Sequence, residues 1–274
     1  MTYDPRIHEL LEKYTSRYNQ AGFVEGDPIS VPRMFTLKQD IEIAAFWTSV
    51  ITWGRRSSII QSAKKLMQLM DHAPYDFIMN HEEKDRIPFT AFKHRTFMYD
   101  DTLYFLEFLQ QYFRQNDTLE TAFLAGAGPD AVKNGLSAFH QRFFSLEFAP
   151  QRTRKHIPTP DRKSACKRLN MFLRWMVRND QNGVDLGLWK KISPSQLMIP
   201  LDVHVERIGR NLGLLTRKQV DWLAVEEVTA HLRLYDPDDP VKYDFALFGF
   251  GVMEGKGQLD NLKIWKFGNG FESV

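Results

Sequence analysis

The chain contains almost no cysteine, and this scarcity limits both its chemistry and its setting. Cys166 is the single cysteine among 274 residues. One thiol cannot form an internal disulfide, and it cannot build a zinc or iron–sulfur site that needs four cysteine ligands. A chain without disulfides suits a reducing compartment, so we expect a cytoplasmic protein.

Long apolar runs and a strong net charge are also missing. No apolar stretch approaches the roughly 20 residues needed to cross a bilayer, and the first residues lack the charged and then apolar regions of a signal peptide. We therefore expect no membrane partner. The formal net charge is only +2, which by itself does not indicate a nucleic-acid partner. An argument for such a partner must come from local clusters of lysine and arginine.

Strict alternation of polar and apolar residues is absent over long stretches, whereas helix start signals recur. The predicted fold class is therefore all-α. An apolar helical face is predicted over residues 100–113, and no repeat or low-complexity tract interrupts the chain. Residues 254–274 carry no pattern that assigns them a structure. The start signals are Thr36-Leu37-Lys38-Gln39, Ser193-Pro194-Ser195-Gln196, Thr216-Arg217-Lys218-Gln219 and Asp239-Pro240.

A basic helix is predicted between Lys163 and Arg178. At about 100° per residue its apolar and basic residues lie on opposite sides. Such a basic face is usually solvated. Ser164, however, lies at the predicted helix start, where free backbone N–H groups favour a phosphate, and more cations lie in the preceding loop. A polyanion could therefore bind here instead. The basic side holds Lys163, Lys167, Arg174 and Arg178, with Arg168 on one flank.

A second group of cations follows a tryptophan and a glycine, in Trp53-Gly54-Arg55-Arg56. Glycine at this point indicates a break between two helices. The ordinary interpretation is a helix–helix turn with solvated arginines. Presented at a surface, the same residues could press on a base stack and bind the flanking phosphates.

Asp202 stands directly before a predicted helix, in Pro200-Leu201-Asp202-Val203-His204-Val205. The preceding proline keeps the approach extended, and the residues from Val203 onward have helical spacing. Aspartate is among the best helix N-caps. The residue is therefore interpreted as a helix cap, as a catalytic acid, or as both.

In chain order these segments resemble the helix-hairpin-helix superfamily of base-excision DNA glycosylases, especially the 8-oxoguanine glycosylases and their archaeal relatives. The segment around Asp202 resembles the Pro-Val-Asp-Val-His segment that holds their catalytic aspartate. Lys167, in Cys166-Lys167-Arg168-Leu169, occupies the place of their Schiff-base lysine. Residues 52–56 fall where that superfamily places the loop that fills the gap left by a flipped base. Most of the chain also resembles a family of bacterial proteins without assigned function.

The resemblance implies two helical subdomains with a cleft between them. Residues 39–192 would carry the basic helix, and residues 1–38 plus 193–274 would carry the aspartate. It further implies a monomeric DNA-repair N-glycosylase that acts on double-stranded DNA, releases a damaged base such as an oxidised purine, and has AP-lyase activity. Lys167 would be the nucleophile, Asp202 would orient it, and no metal or organic cofactor is implied. The residues implied in DNA binding are Trp53, Gly54, Arg55, Arg56, Lys163, Ser164, Arg168, Arg174 and His204.

The chain departs from that superfamily in two respects and leaves alternatives open in others. The separation of Lys167 from Asp202, 35 residues, is longer than in most members. The glycine-rich hairpin turn is missing before Lys167, where this chain has Pro160-Asp161-Arg162-Lys163-Ser164-Ala165. Lys163 competes with Lys167 as the nucleophile. A non-catalytic nucleic-acid-binding protein that kept the glycosylase fold is one alternative function, with Asp202 only a helix cap. A helical protein that binds a small phosphate or carboxylate ligand is another.

Overall fold

The computed structural model describes residues 2–180 and 182–253, which form helices and connecting turns without any β-strand. The predicted all-α class is therefore confirmed. Residues 254–274 lie outside the described residues. None of the described helices is both long enough and apolar enough to cross a membrane. The helices are α1 (Pro5–Tyr18), α2 (Lys38–Val50), α3 (Arg56–Leu69), α4 (Pro74–Asn80), α5 (Tyr99–Phe113), α6 (Ala131–Phe143), α7 (Lys167–Val177), α8 (Val203–Asn211), α9 (Trp222–Leu232) and α10 (Asp244–Met253).

Two predicted helix starts were correct in position but begin only short turns. Ser193 and Gln196 form the predicted capping box, which begins a single 3-10 turn, Pro194–Gln196. A second 3-10 turn, Pro240–Tyr243, follows Asp239 and leads directly into α10. Proline at the first position presets the backbone for a helical turn in both cases.

Of the other two predicted helix starts, the one at Thr36 was correct in position but its capping box does not form, and the one at Thr216 was wrong. α2 begins at Lys38 and has no side-chain cap. α9 begins at Trp222, and its cap is Asp221, which accepts the N–H of Ala224 at 3.2 Å. The backbone N–H of Thr216 instead donates to Glu227 at 2.7 Å. A capping pattern begins a helix only where an apolar helical run follows at once, and that run follows Asp221.

The centre of the molecule is α2, whose residues 41–50 are all buried. It packs against α3, α4 and α7. A helix buried on all sides is apolar around its whole circumference, as this one nearly is. Glu42 is the charged exception. Its carboxylate accepts the N–H of Leu119 at 2.9 Å and the indole N–H of Trp189 at 2.7 Å.

α10 packs against both α1 and α8, and glycines allow the close approach. A Cβ on Gly249 would lie 2.2 Å from Cδ2 of Tyr18 in α1, and a Cβ on Gly251 would lie 3.0 Å from Cβ of His204 in α8. Neither distance leaves room for a methyl group beside a packed side chain. This packing positions α8, and with it Asp202.

The predicted basic helix is shorter than expected. α7 begins at Lys167, after Lys163 and Cys166, which both have left-handed backbone angles (φ 59° and 49°). Ser164 therefore precedes the helix and does not belong to its first turn. The helical spacing of residue types continues through these residues in the sequence, but their backbone is not helical.

The cationic face predicted for this helix was wrong for two of its four residues. Arg174 and Arg178 are 5% and 1% exposed. The segment that follows α7 folds back and places Asp185 against both guanidinium groups. Burial of two arginines requires such carboxylate partners, and the helical pattern alone does not reveal them.

The predicted division into two subdomains stays a prediction. Helices α3 to α7 and all but the first residue of α2 lie within residues 39–192, and α1 with α8 to α10 lie outside that range. The turns Pro28–Ser30 and Pro32–Met34, however, pack on α3 and α2. Buried apolar side chains from both parts form one continuous cluster.

Candidate functional site

A cavity of about 870 Å³ brings together the first residue of α7, the first turn of α8 and the loop before α3. Lys167 and Asp202, the predicted catalytic pair, both line it. Arg55, Lys163 and Ser164, also predicted to bind DNA, do not. The predicted DNA-binding residues that do line the cavity are Trp53, Gly54, Arg56, Arg168, Arg174 and His204.

Asp202 is the N-cap of α8, as predicted. Its Oδ1 accepts the backbone N–H groups of His204 at 2.9 Å and Val205 at 3.0 Å. Both capping bonds use the same oxygen, and among the described residues no hydrogen bond involves Oδ2. The cap holds the carboxylate rigidly while one oxygen stays available at the cavity.

Lys167 begins α7 and is partly buried in the cavity wall. Within the described ranges, its Nζ has one hydrogen-bonding contact, with Sδ of Met171 at 3.6 Å. A thioether is a weak acceptor, so this contact leaves the amine available. Lys163, the competing nucleophile, is exposed and lies outside the cavity lining.

A buried ion-pair network supports the part of the cavity wall that contains Arg174 and Asp244. Nε of Arg174 lies 3.2 Å from Asp185, and its Nη1 contacts Asp244. Arg178 binds the other oxygen of Asp185 and donates from Nε to Asp239 at 2.9 Å. Arg174 and Asp244 both line the cavity, so the network joins the segment after α7 to the site.

Two buried carboxylates in the cavity lining were not predicted from the sequence. Burial raises the pKa of Asp244 to about 6; the charge of Asp202 adds to this effect, while Arg174 and Lys167 oppose it. Burial also raises the pKa of Asp27, whose carboxylate accepts the N–H of Ile29 at 3.1 Å. In sequence, Asp27 precedes a proline and Asp244 begins a helix. Both are common positions for surface aspartates, so no local signal marks them.

Trp53 is held in the cavity wall by contacts with an imidazole ring and a guanidinium group. Its ring stacks on His156 with a centroid separation of 5.5 Å and an interplanar angle of 17°. The Arg168 guanidinium lies 4.9 Å from the ring. Arg168 also donates to the carbonyl groups of Val50 at 2.6 Å and Lys155 at 3.0 Å, and burial lowers the pKa of Arg168 to about 10. Arg168 therefore joins α7 to the loop between α2 and α3, residues 51–55, called the Trp53 loop here.

Two further aromatic rings, those of His204 and Phe248, line the cavity. His204 packs edge-on against Phe248 with a centroid separation of 5.6 Å, and the Arg56 guanidinium lies 4.9 Å from the Phe248 ring. Trp175 also lines the cavity. Tyr243, which directly precedes α10, is not part of the lining. It is buried, and its hydroxyl donates to Glu12 at 2.6 Å.

The fold and the site define an all-helical protein with a partly buried, charged and aromatic cavity. Residues 27–253 match a family described as protein of unknown function (DUF2400), and the chain belongs to that family. Comparisons with curated proteins and with solved structures found no match.

Proposed function

We propose that the protein is a DNA-repair N-glycosylase that releases a damaged base through lysine Schiff-base chemistry and then cleaves the strand as an AP lyase. The proposal adopts the helix-hairpin-helix glycosylase arrangement, with the cavity as the cleft between two helical subdomains. One observation carries it. Lys167 and Asp202, which are distant in sequence, line the same cavity.

The proposed reaction begins with attack of the Lys167 amine on C1′ of the damaged nucleotide. The bond from C1′ to the base breaks, and the base leaves with a proton. Positive charge develops on the sugar during this step, and the Asp202 carboxylate stabilises it. Opening of the sugar ring converts the covalent adduct to a Schiff base, from which loss of the C2′ proton eliminates the 3′ phosphate.

Oδ2 of Asp202, which makes no hydrogen bond within residues 2–180 and 182–253, suits a second role in this reaction. Oδ1 is held by two backbone N–H groups at the start of α8. Oδ2 can therefore accept the proton that the lysine amine must lose before it attacks. Because the helix start fixes the carboxylate, little reorganisation is needed when charge develops.

The cavity walls suit a base that has left the DNA stack. An extruded base must regain by stacking and hydrogen bonding part of the few kcal/mol lost on unstacking. Trp53 and Phe248 supply aromatic surfaces in the lining, and Asp27 supplies a buried acceptor. Cations in the same lining, including Arg56, suit the flanking phosphates.

Borohydride trapping tests the proposal. The protein is incubated with duplexes that carry oxidised, deaminated or alkylated bases and is then reduced, and a covalent protein–DNA adduct is expected with one lesion class. Lys167→Ala should abolish the adduct, and Lys163→Ala, a matched change outside the cavity, should retain it. Trapping that depends on Lys163 would refute the assignment of the nucleophile.

The same experiment separates the proposal from the non-catalytic alternative. Binding of duplex DNA without base release or trapping on any lesion would identify a nucleic-acid-binding protein that kept the fold. The proposal also places a monomeric protein in the cytoplasm. Sedimentation of the purified chain at two concentrations tests the monomeric state.

A further inference from the structure

We propose that a basic patch beside the cavity binds the phosphate backbone of duplex DNA. The patch, called the outer patch here, consists of Arg55, Ser58, Lys93 and Arg95, which line a concave surface of about 530 Å³. The inference rests on the proposed function, because it takes the same DNA as partner. Lys93 and Arg95 are assigned a role by neither the family match nor the resemblance.

The outer patch stands on a tight turn formed by residues 94–97. The N–H of His94 donates to the carbonyl of Phe97, and the N–H of Phe97 donates to the carbonyl of His94, each at 2.9 Å. Arg95, within the turn, has a left-handed backbone angle of φ 53°. The paired hydrogen bonds hold the turn in one conformation, so its cations are presented in a defined place.

His94 attaches this turn to the Trp53 loop. The imidazole is buried, and its Nε2 lies 3.2 Å from the Trp53 carbonyl oxygen. Its Nδ1 lies 2.8 Å from Oγ of Ser62 in α3, and its ring packs edge-on against Trp53 with a centroid separation of 5.4 Å. The turn and the loop therefore form one rigid unit.

Gly54 lets Arg95 lie directly against the loop. A Cβ on Gly54 would lie 2.8 Å from Nε of Arg95, and φ of Gly54 is 115°, which side chains rarely adopt. Any larger residue would displace the Arg95 guanidinium. The glycine thus keeps the positive charge of Arg95 beside the cavity, whose lining includes Gly54 itself.

The cations of the outer patch lack acidic partners among the described residues. Arg55, Lys93 and Arg95 are all exposed, and within the described ranges none of them makes an ion pair. By contrast, Arg86 is neutralised by Glu107 at 3.1 Å. Three uncompensated positive charges around one concave surface favour an anionic partner.

The position of the outer patch favours the backbone of a nucleic-acid strand, rather than a small anion, as its binding partner. Thr96, in the same turn, and Gly54 line the cavity, whereas Lys93 and Arg55 face the neighbouring concave surface. When one nucleotide of a DNA strand lies in the cavity, the phosphates on either side of it must lie close to the outer patch. Long exposed side chains can follow such a backbone, and phosphate contacts of this kind position a protein on DNA without reading its sequence.

The double variant Lys93→Ser, Arg95→Asn tests the outer patch in the full-length protein. Asparagine is chosen because it tolerates the left-handed backbone of position 95. The control is Lys64→Ser, Lys65→Ser, which removes the same charge from exposed positions further along α3 that line neither concave surface. Circular dichroism melts establish that both variants fold.

Binding to a duplex that carries a tetrahydrofuran abasic analogue is measured by fluorescence anisotropy over a fourfold range of salt. The slope of log K against log salt is negative, and each lost phosphate contact reduces its magnitude by about 0.9. Two lost contacts should therefore reduce the magnitude of the slope by about 1.8, so that the salt-dependent loss of affinity over this range shrinks by about 12-fold. The control should keep the wild-type slope.

An unchanged slope in the patch variant, or an equal change in the control, would overturn the inference. Trapping by the wild-type protein tests the proposed function independently. If the wild-type protein gives a trapped adduct but the slope of the patch variant is unchanged, the glycosylase function is supported and the role of the outer patch is refuted. If the slope depends on the patch but no lesion gives a trapped adduct, the DNA contact is supported and the glycosylase function is refuted.

Discussion

Replacing Asp185 with asparagine should destabilise the protein more than any change to a surface ion pair. The Asp185 side chain is 0% exposed and bridges two buried arginines, Arg174 and Arg178. Asparagine has nearly the same shape, so the substitution removes charge without opening a cavity. It leaves the buried guanidinium groups of Arg174 and Arg178 with less negative charge to balance their positive charge.

The magnitude follows from the geometry. At 3.2 Å, the distance from Nε of Arg174 to Asp185, one ion pair contributes about 5 kcal/mol of Coulomb energy at an effective dielectric constant of about 20. Part of this is offset, since asparagine is cheaper to bury and Arg174 and Arg178 keep Asp244 and Asp239 as partners. We expect the free energy of unfolding to fall by about 3 kcal/mol, the lower end for broken buried pairs.

Urea unfolding followed by tryptophan fluorescence measures this change. The matched control is Glu107→Gln, which breaks the surface pair with Arg86, where the Glu107 side chain is 37% exposed. Its cost should be below about 1 kcal/mol. A loss below about 1 kcal/mol for Asp185→Asn, at an unchanged m-value, would refute the inference that this network holds the cavity wall.

Three further predictions concern single residues. Asp202→Ala should lose about 1 kcal/mol of helix capping and Asp202→Asn much less, because asparagine also caps; both should abolish borohydride trapping, and trapping by Asp202→Asn would contradict a catalytic carboxylate. Cys166 is buried, and burial raises the pKa of its thiol to about 12; it should therefore stay unreactive to Ellman's reagent at pH 8 until urea unfolds the chain, and rapid reaction in the native state would show that the thiol is accessible. Burial by itself would raise the pKa of Asp101, but His156, the Met98 N–H and the Thr153 hydroxyl together hold it below its ordinary value of 3.8. The Asp101 carboxyl is thus harder to protonate in the folded state than in the unfolded state, so the stabilisation by its ionised form is present above about pH 4 and is lost as the pH falls through the lowered pKa. Asp101→Asn should reduce the fall of the melting temperature at low pH. An unchanged fall would show that Asp101 does not contribute to it.

Local features of this chain were predictable where a hydrogen bond joins close neighbours in sequence. The Asp202 cap involves the N–H groups of His204 and Val205, so the necessary information lies within a few residues. The helix predicted over residues 100–113 corresponds closely to α5, Tyr99–Phe113. Both depend on backbone geometry that a short segment adopts largely by itself.

The start of α7 shows where local patterns failed. The spacing of basic and apolar residues continued back to Lys163, yet Lys163 and Cys166 have left-handed backbone angles and the helix begins at Lys167. Neither residue is a glycine, so no residue preference marked the break. Tertiary contacts of the preceding turns outweigh helix propensity at this point.

The sequence by itself determined the helical class of this protein, several of its helices and the capping role of Asp202, because these depend on neighbours along the chain. Only the tertiary structure decided which charges are buried and which residues share the cavity. Arg174 is buried because Asp185 and Asp244 reach it from other segments. Lys167 and Asp202 meet at one cavity because α7 and α8 pack within the same core, and packing between distant segments is a property of the whole chain.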